Sequence, residues 1–217
     1  MKLKMCMSLA LCGVICVLNS TITVNAQIGK RPRNTVPPPP TTAKGGSALP
    51  AGWQQYQFDA AKFSAAFPAK PEEEAEQVNH GGGLRSTTRS FITSNDAGVF
   101  MVAYMSELPI NAERMPAHLR QSFYEGMWKG VVDGFREGMK ENGLLYEVKV
   151  LGGRPVSVGG LDGREQDFML GPLVGKCQMT LTGQRGYLIL TLLGEDASEN
   201  ERAYFFNSFK IQNNLRR

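Results

Sequence analysis

One helix-period stretch set between two runs of strand-period sequence constrains this chain most. Across residues 112–142, Leu119, Phe123, Met127, Val131, Phe135 and Met139 recur every four residues. Gln121, Glu125, Lys129, Asp133, Glu137 and Glu141 lie roughly opposite them. That spacing predicts one long amphipathic helix with a buried stripe, and Asn142-Gly143 supplies its stop signal.

The flanking sequence reads as strands. Before the helix come Gln54–Phe58, 62–67, Glu72–Asn79, 84–93 and 99–105; Phe63, Ala65 and Phe67 carry the period-2 pattern most clearly. After it come 145–151, 154–158, 164–170, 176–182 and 187–193, the last apolar at all but Thr191 and so expected to be covered on both faces. Asp162-Gly163 is the strongest hairpin signal in the chain. Gly81-Gly82-Gly83, Gly152-Gly153 and Gly159-Gly160 also read as turns. A closing helix is expected over 198–208, with Ser198 or Asp196 as N-cap, and a short strand over 209–211. Strands joined mostly by hairpin-length connections imply an α+β fold: a single antiparallel β-sheet packed by one long helix and a C-terminal helix.

The N-terminus bounds function more than any motif does. Lys2 and Lys4 precede an apolar run over 9–18, and Val24-Asn25-Ala26 offers cleavage before Gln27. Residues 1–26 therefore read as a secretory signal, which implies a periplasmic or extracellular address. A retained anchor fits less well, because Asn19-Ser20-Thr21 interrupts the run. A lipoprotein form on Cys6, Cys12 or Cys16 also fits less well, since Leu11 and Ile15 precede the latter two. Cleavage leaves Cys177 as the one cysteine, so the domain is held by its apolar core.

Residues 27–52 form a Pro/Thr/Gly linker with too little apolar surface to fold. It carries Lys30, Arg31, Arg33 and Lys44, which could make weak contact with an anionic surface. Six of the chain's 24 basic residues precede Trp53, whereas all 20 acidic residues follow it. Residues 53–217, the single folded domain, are therefore near neutral, and no nucleic-acid-binding face is indicated.

The run Phe63-Ser64-Ala65-Ala66-Phe67-Pro68-Ala69-Lys70-Pro71 resembles the opening of exported bacterial domains related in fold to the PsbP, Mog1 and DcrB proteins. Residues 100–109, 160–170 and 203–211 resemble, in order, the strand before the long helix, the mid-domain hairpin and the terminal aromatic helix with its last strand. The resemblance implies an antiparallel sheet flanked by helices and, usually, a non-enzymatic accessory or binding role. It supplies no catalytic residue.

Candidate chemistry is sparse. Ser122, Gly126, Gly130, Gly134 and Gly138 follow at intervals of four, and each interior glycine costs a helix about 1 kcal/mol relative to alanine. The row serves either close intramolecular packing or a self-association groove. Tyr124 and Trp128 on the helix flank, like Trp53, Tyr56 and Phe58 at the domain's start, are core residues or an exposed anchor for a partner. Cys177 alternates with Met179 and Leu181 and so faces inward as an inert thiol. His80 and His118 lack ligand-like neighbours. Glu72-Glu73-Glu74 and Glu76 suit a solvated edge. Glu165 and Asp167 share a strand face and in principle form an acid/base pair.

No catalytic set, cofactor site or metal site is expected. The first reading is an exported, non-catalytic binding or accessory module of the cell envelope, its envelope protein or small ligand unspecified. The others are an envelope hydrolase or redox enzyme with a dispersed site, and a surface adhesion domain using its basic linker.

Overall fold

The computed structural model describes residues 4–10, 17–25, 50–79, 85–108, 110–195, 197 and 199–212. Lys4–Ala10 (β1) and Val17–Asn25 (β2) pair antiparallel as a separate two-stranded sheet. Ala26, Gln27 and the four basic residues Lys30, Arg31, Arg33 and Lys44 lie outside the described residues. So do His80, the triple glycine at 81–83, Asp196 and Ser198.

The domain opens with the hairpin Gln54–Phe58 (β3) and Phe63–Phe67 (β4). Then come Glu72–Asn79 (β5), Arg85–Asn95 (β6) and Gly98–Ser106 (β7). The long helix Ala117–Glu141 (α1) follows. Val148–Val158 (β8), Leu161–Leu170 (β9), Leu173–Thr182 (β10) and Arg185–Gly194 (β11) form a meander. Glu199–Ser208 (α2) and Lys210–Ile211 (β12) close the chain.

The strands make two sheets in the domain, not the one expected. Seven strands run antiparallel in the order β5-β6-β7-β11-β10-β9-β8, and three more in the order β12-β4-β3. Pro68 and Pro71 separate β4 from β5 and cannot donate to a ladder, so the first hairpin peels away from the main sheet. The last strand then pairs with β4 instead, Lys210 opposite Ser64 and Ile211 opposite Phe63.

The central strands of the main sheet, β7 and β11, are buried on both faces. Helix α1 covers one, where Met101, Met105, Phe168, Cys177, Met179, Leu188, Leu190 and Leu192 pack beneath Tyr124, Met127, Val131, Phe135 and Met139. The small sheet and α2 cover part of the other, joining Phe63, Phe67 and Phe205 to Phe91, Phe100, Tyr187 and Ile189. The run in β11, apolar but for Thr191, thus serves two cores, as expected of a strand in the middle of the sheet. Ser208 Oγ accepts from the Ala66 amide at 2.9 Å and donates to the Phe205 carbonyl at 2.7 Å, tying the end of α2 to β4.

Four local expectations change. The long helix begins at Ala117, not at residue 112. Pro116 caps it and holds Met115 extended at ψ 124°, so residues 112–114 form only a separate 3-10 turn. Leu119 is 41% exposed because a four-residue step drifts about 40° around a helix of 3.6 residues per turn. Over five steps the stripe leaves the core, and Tyr124 fills its sector instead.

The ranges 145–151 and 154–158 merge into one strand, β8, which begins only at Val148. The register shifts between Val150 and Gly152, so Leu151 is the bulged residue, and Gln166 Nε2 bonds the Gly152 carbonyl beside it. The β8–β9 turn is Gly159-Gly160, at φ 58° and 85°, and not Asp162-Gly163. Both central positions need positive φ, which two glycines supply without a Cβ penalty. Gly163 serves close packing, since a Cβ there would meet the Met179 carbonyl oxygen at 2.4 Å.

The outer strand β8 leaves Val150 and Leu151 about half exposed. The bulge, Pro155 and the flanking Lys149 and Arg154 interrupt it as a pairing edge.

Candidate functional site

The polar chemistry of the domain collects on the sheet face turned away from α1. Alternation along β10 sends Cys177, Met179 and Leu181 under the helix and Lys176, Gln178 and Thr180 to the opposite face. The antiparallel register sets Asp167 opposite Lys176, and Glu165 opposite both Gln178 and Arg154.

The two carboxylates expected to share a face are thus joined by one cation. Lys176 Nζ lies 3.1 Å from Glu165 Oε1 and 2.9 Å from Asp167 Oδ1. Arg154 Nη2 reaches the same Glu165 oxygen at 2.7 Å, and Gln178 Nε2 donates to the other at 2.7 Å. Only 3% of the Glu165 side chain is exposed. Burial pushes its carboxyl up, but donation from Gln178, Lys176 and Arg154 outweighs that and holds it below the usual carboxylate range. A carboxylate kept ionised and occupied on both oxygens is a poor general acid or base. The cluster pins β8, β9 and β10 together.

Cys177 is fully buried, and burial, with a smaller contribution from the Glu165 charge, pushes its thiol well up. Its environment is that of a core residue. His118 lies exposed at the start of α1. Glu73 pairs with Arg89 at 3.0 Å across the β5–β6 edge. Among the described residues, no group of three or more His, Cys, Asp or Glu side chains could hold a metal ion. No helix there is long and apolar enough to cross a membrane.

The glycine row divides. Gly126 is exposed, with nothing within 4 Å of where a Cβ would stand, whereas Gly130, Gly134 and Gly138 are buried, and β1 runs beside α1. The same drift of about 40° per step carries the row from the outer side of the helix into its core side. Tyr124 is 6% exposed and donates to the Asp162 carbonyl at 3.2 Å, while Trp128 packs on Phe168 with ring centroids 5.2 Å apart. The pair therefore roofs the α1 core and does not offer two exposed rings. Trp53 packs edge-on against Phe100 and Tyr204 in the opposite core.

One concavity escaped the sequence. A hollow of about 370 Å³ opens between the β3–β4 turn and the ends of β7 and β11, lined by Ala60, Lys62, Tyr104, Arg185 and Gln212. Its floor is braced by Tyr187, whose hydroxyl donates to the Ala61 carbonyl at 3.1 Å and lies 3.4 Å from Arg185 Nη1. Lys62 holds a left-handed backbone at φ 57°, fixed by its carbonyl accepting from the Gln212 amide at 2.8 Å. Four separate segments supply the walls, so no local motif announces them. The one available signal was the inward-facing parity of Tyr104 and Tyr187.

No family model matches the chain, and no curated protein matches it in sequence. It is similar to the solution structure of cyanobacterial PsbP (CyanoP) from Synechocystis sp. PCC 6803, with a TM-score of 0.48 at 14% identity. That match covers 78% of this chain and 98% of the other. It is also similar to a crystal structure from Bacteroides thetaiotaomicron VPI-5482, with a TM-score of 0.38 at 13% identity over 74% of this chain and 48% of that one.

Proposed function

We propose that this protein is an exported, non-catalytic binding or accessory module of the cell envelope, and that the hollow between Lys62, Tyr104, Arg185 and Gln212 is where it binds. The observation that carries this reading is the hollow itself. It is a concavity of about 370 Å³, within the range of about 300–1,000 Å³ usual for small-molecule sites, and polar side chains converge on it from both sheets. The groups best suited to chemistry are engaged elsewhere: Glu165 is saturated by three donors, and Cys177 is sealed under α1. Export rests on the charged, apolar and small-residue pattern of the first 26 residues.

Thermal melting of the purified protein against a panel of small molecules tests the binding reading, because a ligand of the folded state raises Tm by mass action. A concentration-dependent rise that disappears when Ala60→Trp fills the hollow supports it. A panel without effect, together with crosslinking in the native envelope that captures nothing, would overturn it.

A further inference from the structure

We infer that the hollow is selective for a small ligand bearing an oxyanion, a carboxylate or a phosphate, with Lys62 and Arg185 as its charge partners. This deepens the binding reading above and rests on it.

The first ground is uncompensated charge. Among the described residues, ion pairs occupy Arg89, Lys129, Arg136, Arg154, Lys176 and Arg202, and none includes Lys62 or Arg185. Two cations lining one concavity without a carboxylate between them favour an anion from solution.

The second ground is orientation. Arg185 is tethered at the wall by Tyr187, itself anchored on the Ala61 carbonyl, and a guanidinium carries five N–H donors. Donors beyond that tether remain available in a planar fork suited to two oxygens of one ligand group.

The third ground is the phenol of Tyr104. Burial pushes its ionisation up, and the charges of Arg185 and Arg89 pull it down, while Glu107 opposes them more weakly. Arg89, directly opposite Tyr104 on β6, is already paired with Glu73. Of the charges that act on Tyr104, that of Arg185 is the largest.

The fourth ground is backbone strain. Lys62 adopts a conformation for which glycine is the ordinary residue, yet it carries a long cationic side chain that lines the hollow. Strain of this kind persists where the surrounding structure over-determines it, and it collects at binding sites. Here the Gln212 amide and the Tyr187 hydroxyl both meet the Lys62 carbonyl, at 2.8 Å and 3.4 Å. Ala60 with the Tyr104 ring offers one apolar wall.

Isothermal titration of the full protein with benzoate, its neutral twin benzamide and inorganic phosphate, all at one ionic strength, tests the inference. Saturable binding of benzoate or phosphate, with benzamide at least tenfold weaker, is expected, and the stronger of the two anions identifies the source. Arg185→Gln should weaken that binding by about tenfold or more, and Arg136→Gln on the outer side of α1 should leave it unchanged. Lys62→Gly should weaken binding while raising Tm through release of the left-handed strain, a combination that misfolding cannot produce. Benzamide binding as tightly as benzoate, and lost in Ala60→Trp, would sink the anion assignment and leave the binding module standing. Equal anion binding by the wild type and both variants would mean an adventitious ion only and overturn the inference. No binding by any probe would overturn it too, whatever the wider panel or the envelope crosslinking returned.

Discussion

Gln178 Nε2 donates to Glu165 Oε2 at 2.7 Å from the directly opposed position on the neighbouring strand, both side chains nearly sealed from solvent. A neutral donor on one carboxylate oxygen and two cations on the other make Glu165 the centre of the three outer strands. Replacing it by leucine leaves Lys176 with Asp167 and lets the Arg154 head reach water, so the cost should fall near the low end for a broken buried pair, about 3 kcal/mol. Urea melts at neutral pH read this directly. The folded-state carboxyl ionises below its ordinary value of 4.5, so the cluster contributes its full stability above that pH and loses it as pH falls further. Glu165→Gln should flatten that acid limb. An unchanged acid limb would mean that another carboxylate governs it.

Two glycines separate space from conformation. Gly126→Ala adds a methyl into open solvent on a helix interior and should stabilise the protein by about 0.5–1 kcal/mol. Gly163→Ala drives a methyl to 2.4 Å from the Met179 carbonyl oxygen and 2.7 Å from a Val158 methyl, and should cost about 1–3 kcal/mol. Calorimetry on both variants decides the matter. A Gly126→Ala variant that loses a native dimer instead of gaining stability would favour the self-association groove.

What the sequence revealed and what it hid follow from the range of each interaction. The core role of β11 was legible because 187–193, apolar at every position but Thr191, suits only a strand covered twice. The stripe of α1 was legible through Met127, Val131, Phe135 and Met139, and misled at Leu119 because a four-residue repeat drifts away from a 3.6-residue helix. Asp162-Gly163 and Gly159-Gly160 both satisfy a two-residue hairpin turn, and register across β8, β9 and β10 chose between them. The second sheet was hidden because β12 pairs with β4 from the other end of the domain. The hollow was hidden for the same reason: Lys62, Tyr104 and Arg185 meet only once both sheets are stacked.

The Tyr187 hydroxyl joins the two sheets, and the alkaline limb of stability should report it. Burial is the main reason its ionisation is pushed up to about 12, against the pull of Arg185. An acid whose folded-state value lies above its unfolded value of 10 gives full stability below pH 10 and loses it as pH rises toward 12. Phenolate absorbance should therefore show at least one tyrosine titrating late, and Tyr187→Phe should remove that step. The same substitution strips the Ala61 carbonyl of its 3.1 Å donor and should cost about 1–2 kcal/mol near neutrality.

Cys177 turns core integrity into a chemical readout. It sits opposite Gln166 and Leu190 in the ladder, beneath α1, with none of its surface exposed and its thiol held protonated by burial. Iodoacetamide needs both access and thiolate, so it should alkylate the native protein at least about a hundredfold more slowly than the urea-unfolded chain. The native rate should then track opening of the α1 core. Gly163→Ala, which loosens the sheet beneath the helix, should accelerate alkylation, and Gly126→Ala should slow it. Arg185→Gln, on the far face, should leave it unchanged. Rapid alkylation of the wild type without loss of secondary structure would show instead that Cys177 is reached from the surface, and would restore a reactive thiol to the list of functional groups.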